Sequence, residues 1–102
     1  MAVKLLDGVT ADGKGPIIKG SDITQFQDRR VLLGVRSTNF GGGTVTVRAS
    51  EQEDEASMMA MEDGAFTESQ VKAMIVQHSW YYQAELSGAT SPEAVTVVAG
   101  GD

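Results

Sequence analysis

Three consecutive glycines, Gly41–Gly43, run directly into Thr44–Ser50 (TVTVRAS), where every second residue is apolar. Val45, Val47 and Ala49 fall on one side of this segment, and Thr44, Thr46, Arg48 and Ser50 on the other. A period of two with β-branched residues fits a strand with one dry face and one wet face, and it does not fit a helix. The glycines before it supply a turn. The pattern recurs along the chain. Arg29–Arg36 (RRVLLGVR) and Glu93–Ala99 (EAVTVVA) read as strands, and Ser79–Leu86 alternates Trp80, Tyr82, Ala84 and Leu86 against Ser79, Tyr81, Gln83 and Glu85. Shorter strands are predicted at Ala2–Leu6, Pro16–Lys19 and Val71–Gln77. Strands separated by Gly/Ser/Asp turns at intervals of roughly 8–12 residues predict an all-β fold, an antiparallel β-sandwich or jelly-roll-like single domain.

The finer expectations follow from breaks in the pattern. Leu32 and Leu33 interrupt the alternation of their strand, and Gly34 predicts a bulge there. Ser37–Gly43 is expected to turn the chain back, pairing Arg29–Arg36 with Thr44–Ser50 as a hairpin. Gly20–Asp28 reads as a polar turn region, Glu51–Ala56 as an acidic loop and Glu62–Gly64 as a further turn. Thr67–Gln77 admits an alternative, a short helical turn with Thr67 as N-cap, Gln70 completing a capping box, and Val71, Met74 and Ile75 on one face. Residues 1–8 are expected to form an extended N-terminal arm, and 100–102 a flexible tail, of one domain spanning 1–102.

Composition narrows the class of partner. The chain has 102 residues, no cysteine and a formal net charge of −6. An acidic chain is repelled by a nucleic-acid backbone and by an anionic membrane surface, so neither is expected as a partner. Without cysteine there is no disulfide framework, thiolate nucleophile or cysteine-built zinc site. No apolar run reaches the roughly 20 residues that span a bilayer. The opening MAVKLLDGVTADG carries one lysine and a short apolar patch, which predicts no signal peptide.

Motif by motif, catalysis finds little support. Gly8–Gly15 (GVTADGKG) approaches a phosphate-binding loop, but Gly15 stands where a metal-binding hydroxyl belongs, and Pro16 opens an extended segment instead of a helix. Glu51, Glu53, Asp54 and Glu55 form an acidic group without calcium-loop spacing; a solvated loop, a contact for a basic partner and a hard-cation site all remain open for it. His78 is the one histidine, and no nucleophile elbow accompanies it. The inventory therefore predicts no enzyme, with no catalytic, cofactor-binding or metal residues and no cofactor. In the Trp80–Tyr82 trio, alternation turns Trp80 and Tyr82 inward and leaves Tyr81 exposed. The five methionines read as core filler, with a subunit interface as the alternative.

Taken in order, several stretches carry a resemblance. The Gly-rich TADGKGP loop is followed by the FGGGTVTV segment ending Ala-Ser and by an acidic connection. After these come Gly-Ala-Phe-Thr, an aromatic strand ending AELSGAT and a closing Val-Thr-Val-Val. Over roughly Thr10–Val98 the chain resembles small β-sandwich virion structural proteins of tailed bacteriophages, of the capsid decoration or cement kind. Where those proteins commonly carry a Ser-Pro-Asp-Gly-Gly turn and a tryptophan after the hairpin strand, this chain has Glu51–Asp54.

The resemblance implies a non-enzymatic structural protein of the virion, assembled in the host cytoplasm, that binds the capsid exterior and stabilises the shell. Its implied partners are the major capsid protein or other virion proteins and further copies of itself, a trimer being favoured. The alternatives are a tail, tail-fibre or head–tail adaptor subunit and, from another class, a carbohydrate-binding module using Tyr81. The candidate partner-binding residues are those that the monomer core need not use. They are Val3, Leu5 and Leu6, which could add a strand to a neighbour's sheet edge; Glu51, Glu53, Asp54 and Glu55, which could face a basic patch; and Tyr81.

Overall fold

Alternating strands whose apolar sides must leave water have to stack in two layers, and this chain does so. The computed structural model describes residues 2–24 and 29–100. Nine strands are present among them: β1 (Ala2–Val9), β2 (Gly13–Lys14), β3 (Ile18–Lys19), β4 (Arg29–Arg36), β5 (Thr44–Ser50), β6 (Met59–Phe66), β7 (Gln70–Val76), β8 (Tyr81–Ser87) and β9 (Val95–Gly100). One sheet has the order β1-β9-β4-β7. The other has the order β2-β8-β5-β6, with β3 also paired to β8. Every pairing is antiparallel. The all-β sandwich is thus the fold of the protein.

The core lies between the layers. β4 contributes Val31, Leu33 and Val35, β9 contributes Val95, Val97 and Ala99, β5 contributes Val45 and Val47, and β8 contributes Tyr82, Ala84 and Leu86, all buried. Tyr82 keeps its hydroxyl satisfied inside this apolar set by accepting from the Gln77 N–H at 2.8 Å.

Several expectations are corrected. The Leu32–Leu33 doublet does not break the alternation; Leu33 points inward, whereas Leu32 points outward and is 60% exposed. Pairing of β4 with β7 runs without a shift from Arg29↔Val76 to Val35↔Gln70, so Gly34 makes no bulge. β4 and β5 are not a hairpin, since they belong to different sheets. Residues 37–43 instead form a corner between the layers, pinned by buried Phe40. Glycine is required at this corner because Gly41 has φ +63, and a Cβ there would lie 2.4 Å from the Thr90 carbonyl oxygen. The Thr90 N–H donates to the Gly41 carbonyl at 2.9 Å, locking the corner to the loop before β9.

Three register shifts do the work that turns and arms were expected to do. In β1 the register shifts between Lys4 and Leu6 and again between Leu6 and Val9, which lets consecutive Leu5 and Leu6 both enter the core. Residues 2–8 are therefore an edge strand of this domain, not a free arm. Glu62–Gly64 lies inside β6, where a register shift and Asp63 at φ 57 make a bulge rather than a turn. Thr67–Gln77 holds no helical turn, because Gln70–Val76 pairs with β4 along its whole length. Among the described residues the one α-helical turn is Gly20–Ile23, in the region expected to be a polar turn. Of that region, 25–28 lie outside the described residues. Gly100 belongs to β9, and positions 101–102 of the expected tail lie outside the described residues.

The leucine doublet tests the layer assignment directly. Leu33→Ala removes a buried side chain and is expected to destabilise the domain by about 2–5 kcal/mol, whereas Leu32→Ala costs about 0.5 kcal/mol or less. Urea unfolding of the two variants measures the difference.

Candidate functional site

Two surfaces depart from what an isolated sandwich needs. The first is the outer face of the β2-β8-β5-β6 sheet, where a polar layer should meet solvent. Instead, Gln83 is only 3% exposed. Its Nε2 donates to the Gly15 carbonyl at 2.9 Å and to Glu55 Oε1 at 3.1 Å. Lys14 Nζ lies 3.7 Å from Glu55 Oε2. Asp54 caps the short 3₁₀ turn Glu55–Ser57 by accepting from the Ala56 N–H at 3.2 Å and the Ser57 hydroxyl at 3.0 Å. The acidic loop thus folds back over its own sheet and spends Asp54 and Glu55 internally. Glu51 and Glu53 remain exposed. Beneath the loop, Arg48 pairs with Glu85 at 3.1 Å. Arg48 Nε and Gln83 Oε1, on residues opposite each other across β5 and β8, are buried without a protein partner.

The second surface is the outer face of the β1-β9-β4-β7 sheet. Pairing places Leu32 beside Ala73, Gly34 between Val71 and Val98, and Arg30 beside Ile75. Leu32, Val71 and Ile75 are 60%, 68% and 60% exposed. Arg30 and Arg36 flank this apolar strip, and among the described residues neither has an ion-pair partner. At Gly34 the face dips into an open concavity of about 580 Å³, lined by Gly34, Arg36, Gln70, Val71, Thr96 and Val98. β7 is also an edge strand, and its one charged residue, Lys72, turns away from this face to donate to the Asp63 carbonyl at 2.6 Å.

Where the two sheets part between β6 and β7, Met59, Met61, Ile75 and Trp80 line a groove of about 400 Å³ with Glu51 and Glu62 at its margin. Met59 is 73% exposed, so the methionine run is only partly core filler.

The sequence-derived candidates divide. Leu5 and Leu6 belong to this chain's own core, and Val3 is half-buried against it, so these side chains are taken out of the docking set. Tyr81 is half-buried, with Lys19 Nζ 5.9 Å from its ring centroid. Among the described residues no group of three or more His, Cys, Asp or Glu is placed to hold a metal ion. The near phosphate loop is used structurally: Asp12 accepts from the Gly88 and Ala89 N–H groups at 3.0 and 2.9 Å. No described helix is long and apolar enough to cross a membrane. Comparison with protein-family models, with curated proteins and with solved structures finds no match to this chain.

Sequence reasoning passed over Leu32, Gly34, Val71 and Ile75. The available signal was β7 itself, whose outward phase Val71, Ala73 and Ile75 is wholly apolar although the strand lies at an edge.

The folded-back loop has a local test. Gln83→Ala removes the donor that holds Glu55 and Gly15, and is expected to speed amide hydrogen exchange at Ala56–Met58 at least several-fold. Exchange in β4 should stay unchanged.

Proposed function

We propose that this protein is a non-catalytic assembly subunit of a tailed-phage particle, a capsid decoration or cement protein that docks through the outer face of its β1-β9-β4-β7 sheet. The observation that carries the reading is the uncovered apolar strip Leu32–Val71–Ile75 on an edge-terminated sheet. Contiguous exposed apolar surface of this kind marks a site of association. An unprotected hydrophobic edge is a liability unless a partner covers it. Each of the three side chains offers about 1–2 kcal/mol on burial, before the entropic cost of association. Small per-site gains accumulate in a shell that repeats the contact many times. The resemblance to virion proteins supplies the particle; the exposed face supplies the means of attachment.

Quantitative mass spectrometry of purified particles of the encoding phage checks this. Hundreds of copies support a shell protein, a dozen or fewer a tail or head–tail subunit, and absence from the particle overturns the reading. Val71→Asp with Ile75→Asp should fold, with a stability change within about 1 kcal/mol for such exposed positions, and yet be lost from particles.

A further inference from the structure

Gly34 has no reason to be glycine inside its own domain. Its φ lies outside the left-handed region, and a Cβ at this position would have as its nearest neighbour the Val98 carbonyl oxygen at 4.0 Å. That is ordinary contact distance, unlike the 2.4 Å clash at Gly41. A glycine in mid-strand weakens the strand and marks a place where something else approaches closely. Among the described residues nothing covers Gly34 from outside, where the face opens into the concavity.

The surface chemistry of the chain itself names what fits. The Gly34 concavity lies in an apolar strip flanked by the unpaired cations Arg30 and Arg36. At the β6 edge of the opposite sheet stands a counterpart of opposite charge, Met59 at 73% exposure in a groove it shares with Glu51 and Glu62. Among the described residues these two carboxylates have no ion-pair partner. The two patches carry opposite charge, Arg30 and Arg36 on one and Glu51 and Glu62 on the other. Resting on the reading of this face as a docking surface, we infer that its occupant is a second copy of the chain. Met59 of one copy enters the Gly34 concavity of the next, with Glu51 and Glu62 facing Arg30 and Arg36. Methionine suits the role because its unbranched side chain adapts to an irregular socket. An interface between two different patches is head-to-tail, so the copies close into a ring or extend as a filament.

Sedimentation velocity and light scattering on the full chain test this, with the variants Gly34→Val and Met59→Asp. Wild type is expected to associate with rising concentration, and more weakly as salt rises from about 50 to about 500 mM, because the charges screen. Each variant alone should lose association at least tenfold. Both should fold, since valine has room and suits a strand while position 59 is exposed; thermal melting monitors this. Mixed together, the variants should form a one-to-one dimer that grows no further, because one intact socket and one intact knob remain between them. Three results would each overturn the inference: a wild type that stays monomeric at every concentration, a Gly34→Val variant that assembles normally, or a mixture that stays monomeric. A monomeric wild type that is still abundant in particles removes only the second-copy occupant and leaves the particle role standing. Self-association without any presence in particles does the reverse.

Discussion

The fold depends on phase. Each strand must keep its inward set aimed at the layer opposite, because a slip of one residue would exchange core and solvent faces along the whole strand. Continuous register between β4 and both of its neighbours holds Val31, Leu33 and Val35 inside with Val97 and Ala99. β5 and β8 stay in step over seven pairs from Thr44↔Ser87 to Ser50↔Tyr81. Where phase must change, the chain inserts a bulge. The shifts in β1 allow two adjacent leucines to face inward, and the shift in β6 carries the edge strand past Asp63 without ending it.

Period two is a local property, and so the central strands could be read almost residue by residue from the sequence: Arg29–Arg36 and Thr44–Ser50 are found at the expected bounds. Partner choice is not local. Gly41–Gly43 carries the same turn signal whether the chain folds back on itself or crosses to the other layer. What decides is Phe40 entering the core and Gly41 meeting Thr90, far along the chain. The same gap explains Leu5 and Leu6. Their apolar character was visible, but the bulge that turns both inward is a property of the β1–β9 pair. The acidic loop was legible as a loop. Its return over Gln83 was not, because a single glutamine on an expected wet face gives no sign that Glu55 and Gly15 will cover it.

Charge in this protein is partitioned in a way that the net value of −6 conceals. Lys4, Lys14, Arg48 and Lys72 each have a carboxylate within 4.0 Å. These pairs are at least partly exposed and contribute little stability one by one. Their effect is to neutralise the surfaces on which they lie. Among the charges left over, Arg30 and Arg36 lie on one sheet and Glu51 and Glu62 at the margin of the groove beside β6. Unpaired charges of this kind act at longer range than the apolar strip beside them, and they favour one orientation of approach over others.

On the proposed reading, stability and association fall to different sets of residues. The inner faces carry the monomer, and substitutions there are felt as lost burial. The outer face of the β1-β9-β4-β7 sheet adds little to the monomer, since Leu32, Val71 and Ile75 remain mostly in water and Gly34 gives up side-chain packing altogether. A face under only the demands of the folded chain would favour polar residues for solubility and a β-branched residue at position 34 for strand stability. Between Arg30 and Arg36 this face instead carries exposed Leu32, Val71 and Ile75 and a glycine at position 34. The departures run the same way, toward dryness and toward close approach, and both carry a cost in the free monomer. On the proposed reading, covering this face with a partner recovers that cost.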